Sequence, residues 1–314
     1  MQVGFIGLGN VGSKLAANLV ARGVDLAVHD LDPARVAALV ALGARDGGGP
    51  AAMAATRDVV ITCLPAPAAS AEVVATMLPS LRPGLIWIEM STTDAAEIRR
   101  LAALVEAAGG IVAECPVSGG CHRALTGNIA IFMGGTRDTF DRVLPLLSLI
   151  GRRILHCGRL GAASELKVMT NYLATANLLA LCEALTVMRA AGHDLATAYE
   201  AIRISSGNSF VHETESQLIL NGSRDIEFTM DLVLKDIGLF QSIAAARGVP
   251  LEISPLLIEV FRDGQRRYGA RANSDDIVRR LEEATGLSVT APGFPDRLVD
   301  DEPPGSGGEI VVRR

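Results

Sequence analysis

The stretch that decides the fold covers residues 161–192 and reads GAASELKVMTNYLATANLLALCEALTVMRAAG, with no glycine or proline between its terminal residues, Gly161 and Gly192. Apolar side chains recur in it at steps of three and four residues, the spacing that lays an apolar stripe along a helix. We therefore predict one long helix that ends at Gly192. Because helices average ~11–12 residues, a helix of this length is expected to form the spine of a helical domain or to span two compact units.

The sequence differs on the two sides of this helix. Before it, short apolar runs typical of buried strands alternate with helical segments, which predicts a doubly wound α/β domain over residues 1–160. Residues 161–289 show helical patterning alone and predict an all-helical domain joined by the long helix. Residues 290–314 are rich in proline, glycine and acidic side chains, so we expect an irregular or mobile tail.

Composition and charge narrow the classes of partner. The chain has 314 residues with 35 acidic and 29 basic side chains, a formal net charge of -6, so no basic face for nucleic acid is expected. Charged residues (Lys167, Glu183 and Arg189) interrupt the long helix, which argues against a membrane span, and the chain starts directly with a strand pattern rather than a leader. The five cysteines have neither CxxC nor zinc-ligand spacing, as expected for reduced thiols in the cytoplasm and no bound metal.

The first strand continues into a glycine-rich turn, GFIGLGNVG, in which Gly7, Gly9 and Gly12 have the G-x-G-x-x-G spacing. The first glycine permits a tight turn, the second lets backbone approach a pyrophosphate, and the third lets helix and strand pack closely. The second strand ends at Asp30, about 20 residues further on, where this pattern places the carboxylate for the adenine ribose. Leu31 follows instead of a basic residue, which favours NAD and does not exclude NADP.

These features predict an NAD(P)-binding domain of the Rossmann type, although Asp30 is also placed to start a simple turn. Two further strands, DVVITCLP and GLIWIEM, end beside Leu64, Pro65 and Thr92. In open α/β sheets the ligand lies off the carboxyl ends of the strands, so we expect both loops near the cofactor. Capping of the following helix is an equally good role for Thr92 or the preceding Ser91.

Three more positions carry polar groups suited to a substrate. The loop CPVSGG offers the Ser118 hydroxyl beside two unhindered backbone amides, which suits a carboxylate; a plain glycine turn between strands is the alternative. Lys167 and Asn171 lie one turn apart at the start of the long helix, where a lysine is most often a solvated charge. Lys235 lies four residues after Asp231 and is by default half of a surface salt bridge.

Taken together, these motifs resemble the β-hydroxyacid dehydrogenases, the family that includes 3-hydroxyisobutyrate dehydrogenase within the 6-phosphogluconate dehydrogenase superfamily. The resemblance covers residues 2–285. It implies reversible hydride transfer between NAD(P) and a small β-hydroxy acid, or the matching semialdehyde, in a homodimer or homotetramer built through the helical domain.

The resemblance also implies roles for single residues. Lys167 matches the family's catalytic lysine, which carries the proton, and Asn171 matches its amide partner. Ser118, Gly119 and Gly120 match the family's loop that binds the substrate carboxylate. Lys235 matches a lysine close to the nicotinamide and the substrate. The implied cofactor contacts are Gly7, Gly9, Asn10, Val11, Gly12, Asp30, Leu64, Pro65, Thr92, Phe228, Lys235 and Asp236.

The chain departs from the family pattern at several positions. Glu89 and Glu114 stand where aspartate is usual, Thr170 where asparagine is common, and His122 and Arg123 where small residues are common. Arg123 either widens anion recognition or is a solvated charge. Two other functions stay open. Imine reductases share this architecture but generally lack the catalytic lysine, and some relatives without that lysine bind dinucleotide only.

Overall fold

The computed structural model describes residues 1–303 and 305–313, and it divides the chain into two compact units. The first unit comprises Met1–Lys167 together with the described residues from Asp300 onward, and the second comprises Val168–Val299. The predicted boundaries at residues 160 and 289 therefore shift. The first turns of the long helix belong to the first unit, and so does the last part of the tail.

The first unit is built on a ten-stranded sheet. Its strands are β1 (Gln2–Ile6), β2 (Asp25–His29), β3 (Arg45–Asp46), β4 (Val59–Thr62), β5 (Ile86–Glu89), β6 (Ile111–Glu114), β7 (Val117–Ser118), β8 (Ile129–Gly134), β9 (Gly151–Gly158) and β10 (Gly308–Glu309). Its helices are α1 (Gly12–Ala21), α2 (Pro33–Ala41), α3 (Pro50–Thr56), α4 (Pro67–Met77), α5 (Ala95–Ala107), α6 (Gly120–Thr126) and α7 (Arg137–Leu147), with a 3₁₀ turn at Leu78–Ser80.

The strand order explains where ligands are expected. It is β10-β9-β8-β6-β5-β4-β1-β2-β3, with β7 beside β8. Strands β3, β2, β1, β4, β5 and β6 are parallel, β8 is antiparallel to β6, and β9 is parallel to β8. Because β1 lies between β2 and β4, the winding reverses at β1, and the carboxyl ends of these strands border the crevice typical of dinucleotide sites.

The central strands are buried on both faces, as their near-continuous apolar sequences predict. In β5, Ile86 and Ile88 join one apolar core, whereas Trp87 joins the core on the opposite face of the sheet. Leu15 and Leu19 of α1 pack into the first core, and Ile98 of α5 packs into the second. The predicted doubly wound α/β architecture is therefore confirmed.

The second unit is helical. The long helix, α8 (Ala162–Ala190), begins in the first unit and matches the prediction to within two residues. It is followed by α9 (Leu195–Arg203), α10 (Phe210–Asn221), α11 (Met230–Ala246), α12 (Ile253–Tyr268), a 3₁₀ turn at Ser274–Val278 and α13 (Arg279–Thr285). Leu178, Leu181 and Leu185 of α8 are buried together with Phe261 of α12 in one apolar core.

By length and composition alone, α8 would also be long and apolar enough to cross a membrane. One window of 18 residues has a mean hydropathy of 1.3, so the charges in the helix do not by themselves exclude a span, contrary to expectation. The core helices of globular proteins pass the same test. Three leucines of α8 lie in the core of the second unit, as in such a core helix, and 33% of the window is buried.

The tail differs from the expected irregular extension in one respect. From residue 286 to 303 it contains only turns and bends. Gly308–Glu309 then forms β10, parallel to β9 and in register with Arg153 and Ile154. Arg137 donates hydrogen bonds to both carboxylate oxygens of Glu309, at 2.6 and 2.8 Å. The end of the chain thus pairs with the sheet of the first unit.

A buried acid in the second unit makes stability depend on pH. Asp275 is completely buried, and the side chain that interacts most strongly with its carboxyl group is another acid, Glu215. Burial raises the pKa of the Asp275 carboxyl well above its ordinary range, and the Glu215 carboxyl raises it further. The unfolded chain releases this proton at an ordinary pKa, so stability is greatest below that value and falls as the pH rises.

We expect Asp275→Asn to remove this loss. At pH 8 the variant should be more stable than the wild type by about 1–3 kcal/mol, and the difference should shrink towards pH 4. Urea unfolding of the full chain across this pH range measures it. Glu200→Gln is the matched control, because Glu200 is an exposed acid of the same unit that pairs with Arg203 at 2.7 Å. A parallel pH dependence in the wild type and Asp275→Asn would contradict the assignment.

Candidate functional site

The glycine-rich turn between β1 and α1 has the geometry of a dinucleotide loop. Gly7 has a φ of +95°, and a Cβ on it would lie 2.3 Å from the carbonyl oxygen of Cys63. A Cβ on Gly12 would lie 2.1 Å from the carbonyl oxygen of Gly7. Gly9 has space, since the nearest atom to its Cβ position is Arg35 Nη1 at 3.8 Å. The fold itself therefore requires the first and third glycines, whereas the second leaves room for a ligand.

Asn10 and Val11 form the last part of this turn before α1. Val11 occupies the N-cap position of α1, and its side chain has no atom that can accept a hydrogen bond from the first turn. Lys14 Nζ donates to the carbonyl oxygen of Asn10 at 2.8 Å. An N-terminus without a side-chain cap favours a negatively charged ligand, because the first N–H groups and the helix dipole are both positive there.

Asp30, at the end of β2, is tied to the glycine-rich turn. Its carboxylate accepts hydrogen bonds from the backbone N–H groups of Leu8 at 2.6 Å and Asp32 at 2.9 Å. The hydrogen bond from Asp32 N–H forms the simple turn that was the alternative role of Asp30. The hydrogen bond from Leu8 N–H also ties Asp30 to the glycine-rich loop. Arg35 approaches Asp30 Oδ2 at 4.0 Å and Asp32 Oδ2 at 3.4 Å.

A cavity of about 580 Å³ opens beside Asp30. Leu31 at its border is 96% exposed. The other lining residues include His29, Val36, Val40 and Asp46. A cavity of this size, mostly apolar with a few acidic groups, suits an adenosine moiety.

A buried glutamate connects the loops after β4 and β5. Glu89 Oε1 accepts a hydrogen bond from Ser91 N–H at 2.7 Å, and Oε2 accepts one from the Thr62 hydroxyl at 2.9 Å. Ser91 Oγ in turn accepts the N–H of Leu64 at 2.7 Å. Burial raises the pKa of the Glu89 carboxyl, although these donors oppose the shift. Leu64 and the adjoining Pro65 are thereby fixed relative to the loop after β5.

The capping role that the sequence left open for Ser91 or Thr92 is wrong. Asp94 caps α5, and its carboxylate accepts the N–H groups of Ala96 and Glu97 at 2.7 and 3.0 Å. Thr92 therefore stays a candidate cofactor contact, while Ser91 supports the Leu64 loop.

The candidate carboxylate loop is more than a turn between strands. Ser118 ends β7, which pairs with β8, and α6 begins at Gly120. Gly119 and Gly120 have φ values of +127° and +83°, a backbone conformation that favours glycine. A Cβ on Gly119 would lie 3.1 Å from Arg123 Cδ, so the Arg123 side chain folds back along this loop.

Glu114 joins the end of β6 to the start of α8. The side chain is completely buried, and its carboxylate accepts hydrogen bonds from the N–H groups of Gly161, at 2.6 Å, and of Ser164. Burial raises the pKa of this carboxyl against the effect of these bonds. Lys167 follows within the same first turns of α8, and its side chain is 7% exposed. Lys167 is thus a buried residue and not the solvated charge that is usual near a helix start.

The second unit brings three of the candidate residues together. Asn171 Nδ2 donates to Asp236 Oδ2 at 2.5 Å, and Lys235 Nζ lies 3.0 Å from Asp236 Oδ1. The described contacts of these residues differ from the default pair of Lys235 with Asp231, since Lys235 faces Asp236. Asp231 pairs instead with Arg271 at 3.2 Å.

Phe228 lies just before the helix that carries Lys235 and Asp236. The helix α11 begins at Met230 after the N-cap residue Thr229, so Phe228 precedes it in the connecting segment. Its carbonyl oxygen accepts the N–H of Ser274 at 2.8 Å, and its ring packs against the core of the second unit.

Sequence reasoning noted Glu89 and Glu114 only as departures from a pattern and missed what they bind. The available signal was an acidic residue at the end of each apolar strand, where burial is certain and a donor is required. Apart from Ser91, which follows Glu89 by two residues, the donors lie on other elements, up to 50 residues away in the case of Ser164, so the sequence gives no local clue to these distant partners.

Comparison with known proteins places the chain in context. Residues 2–158 match the model of the NAD-binding domain of 6-phosphogluconate dehydrogenase. Residues 161–281 match the model described as NAD-binding of NADP-dependent 3-hydroxyisobutyrate dehydrogenase.

Individual relatives agree with these matches. The chain is 32% identical to 2-(hydroxymethyl)glutarate dehydrogenase from Eubacterium barkeri, over 92% of this chain and 98% of that protein. It is 30% identical to mitochondrial 3-hydroxyisobutyrate dehydrogenase from Mus musculus, over 83% and 81%. The solved structure of Mycobacterium tuberculosis 3-hydroxyisobutyrate dehydrogenase with L-serine has a TM-score of 0.81 at 27% identity, covering 90% of this chain and 99% of that one.

The three glycines give a test of the dinucleotide loop. We expect Gly12→Ala to lower the thermal midpoint by ~5 °C or more, because its Cβ would overlap the Gly7 carbonyl. Gly9→Ala should leave the midpoint unchanged and weaken NADH binding at least ~10-fold, because the methyl group fills ligand space. Differential scanning fluorimetry and a fluorescence titration with NADH measure the two effects. Equal losses of stability in both variants would contradict this division of roles.

Proposed function

The chain belongs to the β-hydroxyacid dehydrogenase family, and we propose that it transfers a hydride reversibly between NAD and the CH–OH carbon of a small β-hydroxy acid. Without regard to the preferred cofactor or the exact substrate, the chain is an NAD(P)-dependent hydroxyacid dehydrogenase. One observation carries the proposal. Lys167 is a buried amine side chain at the start of a helix that Glu114 fixes to the strand leading into the loop of Ser118 to Gly120.

The residues present fit a dinucleotide. The turn of Gly7, Gly9, Asn10, Val11 and Gly12 would hold the pyrophosphate, as supported by its tight backbone contacts and the free space at the second glycine. Asp30 would bind the adenine ribose beside the 580 Å³ cavity. Leu64, Pro65 and Thr92 would contact the nicotinamide half of the cofactor. The family resemblance implies further cofactor contacts at Phe228, Lys235 and Asp236. When bound, the nicotinamide supplies the hydride chemistry.

The preference for NAD rests on charge. Asp30 and Asp46 line the cavity and would repel the 2′-phosphate of NADP. Arg35 is close by, but Asp30 and Asp32 both lie within 4.0 Å of its guanidinium and offset its charge. Leu31 offers no cation at the position where NADP-preferring members usually have arginine.

The protein residues divide the remaining work. Ser118, Gly119 and Gly120 bind the substrate carboxylate through a hydroxyl and backbone amides. Lys167 takes the proton from the substrate hydroxyl during oxidation and returns it during reduction. Asn171 orients the reacting oxygen through its amide, and Lys235 adds positive charge for the carboxylate. The Asp236 carboxylate holds both Asn171 and Lys235 in place.

The relatives narrow the substrate to a class. The named relatives act on 2-(hydroxymethyl)glutarate and on 3-hydroxyisobutyrate, both β-hydroxy acids. A methyl group or a hydroxyl in an apolar pocket changes binding by only ~1–3 kcal/mol, so a panel of such acids and their semialdehydes is the appropriate assay. Imine reduction and binding without turnover are the alternatives, and Lys167 argues against both.

We further propose a homodimer or homotetramer in the cytoplasm. The exposed apolar side chains of Met169, Leu173 and Val187 on α8 offer an apolar surface for assembly. The five cysteines are free thiols. Burial raises the pKa of the Cys63 thiol to about 12, which keeps it protonated and unreactive.

The role of Lys167 is tested by replacing it with a side chain of similar length. We expect Lys167→Met to lower kcat by ~10²–10⁴-fold, because it removes the proton carrier, and to leave the dissociation constant of NADH within a factor of about two. Initial rates at the NADH absorbance band measure this. Arg189→Met, in the last turn of the same helix, is the control. Turnover by Lys167→Met at the wild-type rate would overturn the assignment.

Cofactor preference has its own test. We expect Leu31→Arg to raise kcat/KM with NADP relative to NAD by ~10–100-fold, because an exposed guanidinium gains a phosphate partner. Leu31→Gln removes the apolar side chain without adding charge and should change the ratio by less than about threefold. Wild-type preference for NADP would contradict the proposed role of Asp30 and Asp46.

A further inference from the structure

The C-terminal segment beginning at Asp300 lies beyond the residues matched by either family model, yet it is anchored to the first unit. Its first contacts are made with the connection between α6 and β8. Asp300 Oδ2 accepts hydrogen bonds from the Thr126 hydroxyl and from Asn128 Nδ2, the latter at 2.7 Å. Asn128 Nδ2 also donates to the carbonyl oxygen of Glu302 at 2.8 Å.

These contacts reach the interior of the first unit, because Asn128 is completely buried. A buried amide that loses its acceptors has a high free-energy cost, so the segment and this connection are expected to stay together. Thr126 is the last residue of α6, and Gly127 ends the helix in the left-handed conformation with a φ of +77°. Asp300 therefore fixes the C-terminal end of α6.

The same end of α6 is held from the side of the glycine-rich turn. Asn18, on α1, donates through Nδ2 to the carbonyl oxygens of Ala124 at 2.9 Å and Leu125 at 3.1 Å. The helix α6 has only seven residues, a length of ~10 Å, and its other end begins in the carboxylate loop. A short helix fixed at one end by two side chains transmits their positions to the loop at its other end.

We propose that Asp300 is a positioning residue for the carboxylate loop of Ser118, Gly119 and Gly120. Together with Asn18 it sets the place of α6, and hence of this loop, relative to the glycine-rich turn. The ligand in this inference, a carboxylate, rests on the proposed function. The restraint on α6 does not, and it can be measured without turnover.

A purely electrostatic role of Asp300 would change carboxylate affinity in the opposite direction from a positioning role. The direction of the change therefore distinguishes the two roles. Arg123 on α6 interacts electrostatically with Asp300. If Asp300 acted only through its charge, removing it would leave the loop more positive and strengthen carboxylate binding. If it acts by position, removing it loosens α6 and weakens carboxylate binding. Asparagine at this position loses the charge but retains an acceptor oxygen, so it separates the two effects.

The experiment compares Asp300→Ala and Asp300→Asn in the full chain. Hydrogen–deuterium exchange of residues 118–128 reports the restraint on α6. Calorimetric titrations report the affinity for NADH alone and for 3-hydroxypropanoate in the presence of NADH, a pair that cannot react with each other. Glu309→Ala is the matched control, since Glu309 anchors the same segment through Arg137 without a contact to α6.

We expect Asp300→Ala to speed exchange in α6 at least ~10-fold and to weaken 3-hydroxypropanoate binding at least ~10-fold, with NADH affinity within twofold. Asp300→Asn should lie within about threefold of the wild type in each property, and Glu309→Ala should match the wild type.

Several outcomes overturn the inference: unchanged exchange in Asp300→Ala, tighter carboxylate binding, or equal weakening of both ligands. A wild type that binds NADH but no β-hydroxy acid counts against the proposed function instead. In that case exchange alone decides the role of Asp300 in restraining α6.

Discussion

A buried carboxylate requires hydrogen-bond donors, and in this protein the position of the buried Lys167 depends on how Glu114 meets that requirement. The first turn of a helix has N–H groups without intrahelical partners and a partial positive charge, and α8 supplies two of them, from Gly161 and Ser164. The end of β6 and the start of α8 are thereby joined across 47 residues of sequence. The place of Lys167 in the first unit follows from this bond, because the same helix carries it.

Glu89 solves the same problem on the neighbouring strand. In the parallel pairing of β5 and β6, Glu89 and Glu114 are register partners, so both carboxylates lie at the carboxyl edge of the sheet. Glu89 takes its donors from Thr62 and Ser91, which belong to the strand and loop expected beside the cofactor. Shortening either residue to aspartate on this backbone would withdraw the carboxylate by ~1.5 Å, more than a hydrogen bond tolerates. Glu114 thus holds the start of α8, and Glu89 holds the loop that follows β5.

Features with a strong local signal could be predicted from the sequence. The long helix and the glycine-rich turn follow from periodicity and from backbone conformations that only glycine adopts readily, and the doubly wound α/β order follows from the apolar strands. The short strands β3, β7 and β10 could not be predicted, because a two-residue strand is held by its neighbours and not by its own composition. The contact of Lys235 could not be predicted from the sequence either. Helical spacing suggests Asp231, whereas in the structure Lys235 faces Asp236.

The tail illustrates how composition and structure diverge. Its proline, glycine and acidic residues predict no periodic structure, and most of it has none. Exposed ion pairs such as that of Arg137 with Glu309 contribute only ~0–1 kcal/mol each, so they cannot explain why the segment stays on the sheet. The buried amide of Asn128 can, because separation from Asp300 would leave it without acceptors in an apolar environment. The tail is therefore held beside α6 as well as through backbone hydrogen bonds at the sheet edge, and the first of these attachments acts on the helix that follows the loop of Ser118 to Gly120.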